Sequence, residues 1–277
     1  MTALPTRPAT RPLVMGVVNV TPDSFSDGGK WLAPGSAIEH GLQLHEQGAD
    51  IIDIGGESTR PGAQRPDERD EVQRVLPVVR ELASRGVCCS IDTMRSGVAA
   101  RAIEAGAQVV NDVSGGLADP LMAATVVDFG VGMVAMHWRG HSHDMADRAV
   151  YDDVVVDVCR ELGQRARALI GAGIAPDALA LDPGLGFAKT AEQNWAILRQ
   201  LHAFDSLGMP ILVGASRKAF LARVGSHEAL PPERREGATT ALTVLLAQAG
   251  VWGVRVHDVR AARTALAVTE RMAATDE

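Results

Sequence analysis

Eight short apolar runs punctuate the chain, at 14–18, 50–54, 87–91, 108–110, 131–136, 180–181, 211–213 and 254–256. Each closes on or just before a polar or ionisable residue: Asn19, Asp53, Asp92, Asn111, His137, Asp182, Ser216 and His257. These closing residues recur about every 34 positions, close to the ~31 residues per strand-plus-helix unit of a barrel of about 250 residues. The runs are continuously apolar rather than alternating, as strands covered on both faces require. Helix-period segments separate them. After Tyr151, the residues Val155, Val158, Cys159, Leu162, Ala166 and Leu169 recur at three-to-four spacing, while Asp157, Arg160, Glu161, Arg165 and Arg167 fall mainly on the other side,. Thr190-Ala-Glu-Gln193 has the form of a capping box,. Gly130 and Gly208 stand just before runs, where a left-handed residue can end the preceding helix,. The pattern predicts an α/β fold: a single (β/α)8 TIM barrel over 13–277, in which strand ends share one face. An open doubly wound sheet is the competing architecture, but the first strand lacks the Gly-x-Gly-x-x-Gly that such a nucleotide fold uses,.

Composition narrows this further. Of 277 residues, 46% are hydrophobic but only 4% aromatic, so Val, Ala, Leu and Ile must fill the core. A net charge of −7 argues against a general nucleic-acid surface, and clustered cations in such a chain imply a specific anionic target,. Three cysteines, two of them adjacent at Cys88 and Cys89, give no disulfide framework and read as reduced thiols of a cytoplasmic protein,. No run of ~18 apolar residues offers a membrane span. Residues 1–12 hold Pro5, Pro8 and Pro12 without an apolar core, which predicts a disordered N-terminal tail rather than a signal peptide,.

The chemistry gathers at the strand ends. Loops rich in Gly and hydroxyl residues, 19–29 and 55–62, follow the first two runs and suit mobile covers over a charged substrate,. Asp92, Asn111 and Asp182 end three further runs. Either alone reads as a cap or turn residue, the role expected of Asp112. Together, two carboxylates and an amide suit a heterocycle with several N–H donors, since an ionised Asp accepts two parallel bonds from an amidine-like edge. Ser216, Arg217, Lys218, Arg255 and His257 close the last two units, the sector where barrels hold phosphate. Arg255 and His257, two apart, leave the strand on one side. His137, His141, His143 and Asp144 could be drawn as a zinc site, but the segment runs through Gly140 into a polar loop and no second motif completes the set,.

Taken together, Met15–Gly29, Asp53–Gly62, Ser90–Thr93, Asn111–Gly116, Asp182–Phe187, Gly214–Lys218 and Arg255–Asp258 resemble the dihydropteroate synthases, in that family's order, from about residue 14 to the C-terminus. The resemblance implies condensation of 6-hydroxymethyl-7,8-dihydropterin pyrophosphate with p-aminobenzoate to 7,8-dihydropteroate and pyrophosphate, in folate synthesis. It assigns Asp92, Asn111, Asp182 and Lys218 to the pterin, and Asn19 to a Mg2+ cofactor bridging to pyrophosphate. Arg255, His257 and Arg60 fall to the leaving group. Thr59, Pro61 and Ser216 fall to the p-aminobenzoate pocket where sulfonamides compete, and Phe187 also belongs to the substrate site. Asp92, with Asp27 of the first loop, is expected to offset positive charge on the pterin, and Lys218 completes the catalytic set. The family also implies a homodimer. A departure, Trp138-Arg-Gly140 after His137, bears only on nearby loop contacts. Two rivals share the pterin site: a methyltransferase domain acting on methyltetrahydrofolate, which has no use for the 58–61 loop with Ser216–Lys218, and a non-catalytic paralogue, which should have lost part of them.

Overall fold

The computed structural model describes residues 3–21, 34–57, 66–140 and 147–274. Strands and helices alternate along them: β1 (Leu13–Asn19), α1 (Pro34–Glu46), β2 (Ile51–Gly55), α2 (Glu68–Ser84), β3 (Cys89–Asp92), α3 (Ser96–Glu104), β4 (Val109–Asp112) and α4 (Met122–Phe129). The second half continues with β5 (Gly132–Met136), α5 (Val154–Gly171), β6 (Leu179–Asp182), α6 (Ala191–Arg199), β7 (Leu212–Val213), α7 (Glu236–Gln248), β8 (Gly253–Val256) and α8 (Val259–Ala273). All strand pairs are parallel, in the order β6-β5-β4-β3-β2-β1-β8-β7. A bridge between Leu181 and Ile211, with Leu181 N–H donating to Pro210 O at 2.9 Å, joins the two ends. The sheet is thus a (β/α)8 barrel, as the spacing of the runs predicts. Residues 226–231 form a loop that leads through a short 3-10 turn (Pro232–Arg235) into α7.

Local chemistry sets the helix ends. Thr190 accepts from Gln193 N–H while the Gln193 side chain accepts from Thr190 N–H, closing the capping box that starts α6,. Gly130 ends α4 at φ +68°, a conformation that costs glycine little,. Between α6 and β7 the chain tightens into a 3-10 segment, Leu201–Leu207, where the apolar pattern does not distinguish the two helix types,.

The core has two parts. The larger fills the shell between sheet and helices; along α5 its members are Val155, Val158, Leu162, Ala166 and Leu169, as the helical period predicts, with Cys159 only partly buried. The smaller plugs the barrel interior at its N-terminal end: Leu13, Met15, Ile51, Val109, Val134, Ala180, Leu212, Trp252 and Leu4. Within the expected disordered tail over residues 1–12, the described residues 3–12 lie against the barrel, with Leu4 buried. Its N–H donates to Asp177 O at 3.0 Å, Trp252 Nε1 donates to Pro5 O at 3.1 Å, and Arg11 pairs with Asp50 at 2.6 Å. A Cβ at Gly132 would lie 2.8 Å from Leu4 Cδ2, so the strand is pared to glycine where this side chain enters. Proline-rich composition reads as tail because it removes donors, yet an apolar barrel floor must be covered and an extended segment can do that without a ladder.

Candidate active site

Side chains that enter the barrel alternate with those that leave it, and along β2, β4 and β6 the interior turns from apolar to polar two residues further on. Ile51 is followed by Asp53, Val109 by Asn111 and Ala180 by Asp182. The register sets Asp53 beside Ser90, Asp92 beside Asn111, and Asp182 beside Met136. A polar layer therefore caps the apolar plug at the carboxyl end of the sheet, where barrel enzymes keep their chemistry.

Arg255 ties this layer together. From β8 it reaches past β1, donating through Nε to Asp53 Oδ2 at 2.6 Å and through Nη2 to Asp92 Oδ2 at 2.8 Å. The same Asp53 oxygen accepts from Asn111 Nδ2 at 2.9 Å. Asp53 thus positions two of the expected substrate residues, although the sequence reading gave it only a place at a strand end. On the other side, Asp182 Oδ1 accepts from Gly184 N–H at 2.7 Å, which orients the carboxylate across the opening. Lys218 donates to Leu185 O and lies 4.8 Å above the Phe187 ring. At Gly214 a Cβ would stand 3.7 Å from Lys218 Nζ and 3.8 Å from both Asp182 Oδ2 and the Arg255 Cβ. The acidic groups and the cations therefore border one hollow, kept open by the missing side chain.

Ser216 and His257 meet at the rim: Ser216 Oγ and His257 Nδ1 are 2.9 Å apart, and His257 N–H donates to the same hydroxyl at 3.2 Å. Arg217 does not face the hollow. It adopts φ +59°, its Nε donates to Glu236 at 2.9 Å and its carbonyl accepts from Arg235, so the strained turn sends Lys218 inward instead,. Asn19 ends β1; its Oδ1 would lie 3.6 Å from a Cβ at Gly55, and Asp92 Oδ2 3.5 Å from the same point. One amide oxygen and one carboxylate oxygen thus flank a notch, a sparse set of hard donors that suits Mg2+ taking its remaining ligands from phosphate oxygens and water.

Burial shapes the electrostatics. It pushes the Asp92 carboxyl up to about 7, against the pull of Arg255 and with the Asp53 charge adding to the rise. Asp182 is also raised by burial, opposed by Lys218, the Gly184 N–H and Lys189. Burial pushes Lys218 down to about 8, with Asp182 drawing it back up. For Arg255 the same desolvation is outweighed by Asp53 and Asp92, which hold it firmly charged.

The structure brings Asn19, Asp92, Asn111, Asp182, Phe187, Ser216, Lys218, Arg255 and His257 to this one end of the barrel. Asp27, Thr59, Arg60 and Pro61 lie outside the described residues, as do His141, His143 and Asp144. His137 has both ring nitrogens engaged: Nε2 is 2.9 Å from Glu161 Oε2 and Nδ1 is 3.0 Å from Lys189 Nζ. Asp112 accepts from the Ser114 N–H and hydroxyl and from Gly116 N–H, fixing its turn as expected. Besides Asp53, sequence reasoning missed Lys189. Asp53 could have been found from its two-residue step beyond Ile51; nothing local marks Lys189, whose partners come from β5 and the β6–α6 turn.

A model of the family described as pterin binding enzyme matches residues 15–257. The dihydropteroate synthase of Mycobacterium leprae is 52% identical over 259 residues, covering 92% of this chain and 91% of that protein. Among solved structures, Xanthomonas albilineans dihydropteroate synthase with 4-aminobenzoic acid superposes with a TM-score of 0.88 at 42% identity, covering 96% of this chain and 94% of that one. The same enzyme in complex with 7,8-dihydropteroate gives 0.85 at 39% identity, covering 96% and 95%.

Proposed function

This chain belongs to the pterin-binding enzymes, and among them to the dihydropteroate synthases, and from that premise we propose how its own residues carry the reaction. It is a transferase that joins 6-hydroxymethyl-7,8-dihydropterin pyrophosphate to p-aminobenzoate, forming 7,8-dihydropteroate and releasing pyrophosphate. The C–O bond to pyrophosphate breaks and a C–N bond to the aniline forms. The observation that carries the assignment of roles is the single hollow bordered by Asp182, Lys218, Asn111, Asp92 and Arg255.

Asp182 accepts two N–H bonds from the amidine edge of the pterin, held for this by Gly184 N–H,. Asn111, fixed by Asp53, supplies both a donor and an acceptor to the ring,. Lys218 covers the ring from the Phe187 side. As the C–O bond lengthens the methylene takes on carbocation character, which the ionised Asp92 offsets, together with Asp27. Arg255, His257 and Arg60 take up the departing negative charge. The aniline attacks with a lone pair that is already free at neutral pH, so no strong base is needed. Ser216, Phe187, Thr59 and Pro61 line its pocket, the place where sulfonamides compete. Asn19 would hold Mg2+, which when bound would help neutralise charge on the pyrophosphate.

The working enzyme is a cytoplasmic homodimer. Burial pushes the Cys88 and Cys89 thiols up to about 11 and about 12, so both stay protonated and unreactive, in keeping with a reducing compartment,. No helix of the described residues is long and apolar enough to cross a membrane. Leu245 on α7 and Val268 and Met272 on α8 are exposed apolar side chains on neighbouring outer helices, suited to a subunit contact.

The test is pyrophosphate release with the pterin pyrophosphate, p-aminobenzoate and Mg2+ supplied together and singly. Turnover should need both organic substrates. Asp182→Ala should abolish pterin binding, and Arg255→Ala should lower both pyrophosphate affinity and kcat. Undiminished pterin affinity in the first variant, or a normal kcat in the second, refutes these roles.

A further inference from the structure

We propose that Lys189 is a positioning residue of the pterin site, holding the β6–α6 turn so that Asp182 faces the ring in its ionised, correctly turned form. The inference rests on the pterin reading of Asp182 given above. Lys189 lies behind the turn, not in the hollow. Its Nζ donates to Gly184 O at 3.1 Å, to Phe187 O at 3.1 Å and to His137 Nδ1 at 3.0 Å. Three acceptors match the three N–H bonds of an ammonium and exceed the two of a neutral amine.

The acceptors at the far end settle the same point. His137 Nε2 faces Glu161 Oε2 at 2.9 Å, and Glu161 is held down to about 2, first by His137 and then by Arg139, so this oxygen can only accept. His137 must therefore carry its proton on Nε2 and present a bare Nδ1 to Lys189. A neutral lysine would need the opposite tautomer and would set two lone pairs against each other at Glu161. The chain Glu161–His137–Lys189 thus anchors the turn to α5 and keeps a positive charge beneath it.

Two consequences reach Asp182. The residue whose carbonyl Lys189 holds, Gly184, is also the one whose N–H orients Asp182 Oδ1 at 2.7 Å, so fixing one fixes the other. The ammonium also opposes the desolvation that raises the Asp182 pKa, alongside Lys218 and Arg255. Burial presses on Lys189 itself, drawing it down to about 7, with Asp182 and Glu161 supporting the charge and Lys218 and Arg139 opposing it. Ala188, beside it, is held at φ +45° with its carbonyl accepting from Tyr151 at 3.0 Å, which marks the turn as a segment kept in place by its surroundings,.

Calorimetric titration of the full-length protein with the pterin pyrophosphate, without p-aminobenzoate, tests this. Lys189→Met should raise the pterin Kd at least tenfold and leave the Kd for inorganic pyrophosphate and the KM for p-aminobenzoate within twofold. Lys189→Gln, which keeps two donors but no charge, should fall between Lys189→Met and wild type. In 15N spectra His137 should show protonated Nε2 and a bare Nδ1 in wild type, and keep Nε2 protonated in Lys189→Met because Glu161 still only accepts; a wild-type proton on Nδ1 overturns the ammonium reading. An unchanged pterin Kd in a folded Lys189→Met, or an equal loss for all three ligands, overturns the assignment. Failure of both variants to fold overturns it too, in favour of a purely structural lysine. A wild-type protein that does not bind the pterin overturns the function itself, and is told apart because no variant is involved.

Discussion

Asp53→Asn isolates the charge of a residue that touches no substrate. The amide oxygen can take the place of Oδ2, which already accepts from both Asn111 and Arg255, while the new NH2 falls where Oδ1 lies buried without a hydrogen-bond partner among the described residues. Shape is therefore kept and a negative charge is removed. Asp53 and Asp92 grip the same guanidinium, and two like charges about 5 Å apart at an effective dielectric of ~20 repel by roughly 3 kcal/mol. That corresponds to about 2 pKa units; water at the open mouth reduces it, so a fall of ~1 unit is expected for Asp92. Arg255, no longer shared with a second carboxylate, pulls Asp92 the same way. Asp92 stands near 7 and must be ionised to offset the cationic pterin. The acid limb of kcat/KM, which reports the free enzyme, should therefore move from near pH 7 towards about pH 6 in this variant. Initial rates of pyrophosphate release from pH 5 to 9, with folding checked at each pH, read it directly. An acid limb that stays put or moves to higher pH refutes the coupling.

Three other perturbations probe separate parts of the molecule. Gly184→Ala places a Cβ 2.6 Å from His137 O at φ +69°, so the turn must shift; pterin affinity should fall by at least ~10-fold, about 1.4 kcal/mol,, and an unaltered Kd by titration would count against the turn's role. Leu4→Ala should cost about 2 kcal/mol of stability from lost apolar burial, seen as a Tm lower by roughly 5 °C; an unchanged Tm would mean the segment does not stabilise the barrel floor. Acid stability follows from His137 and Glu161. Burial first, then Lys189, holds His137 down to about 4, so the unfolded chain takes up the extra proton and stability is lost as pH falls from 6.5 towards 4,. Glu161, at about 2, contributes stability above 4.5 that is lost as pH falls through 2,. Glu161→Gln should flatten that lower slope in denaturant titrations between pH 2 and 5; an identical slope refutes it.

The barrel was legible because each unit is encoded locally. A strand buried on both faces needs an unbroken apolar run, a helix needs its 3.6-residue period and its caps, and the recurrence of the two defines the number of units. The strand-end residues were legible for a related reason: in parallel strands the polar terminus of every run falls on the same face, so Asp92, Asn111, Asp182 and Arg255 had to converge. The covering of the floor by Leu4 was not legible, since its contacts with Gly132 and Asp177 join segments far apart in the chain and no local pattern announces them.

What the sequence determined alone is the set of elements, their parallel stacking and the kinds of group at the mouth, because these follow from short-range periodicity. Which groups work together was decided only by closure of the sheet. Arg255 meets Asp53 and Asp92 across 202 and 163 residues, and Lys189 meets His137 across 52. At such separations pairing depends on register and on burial, which set both the distances and the pKa values, and neither is written in any one segment.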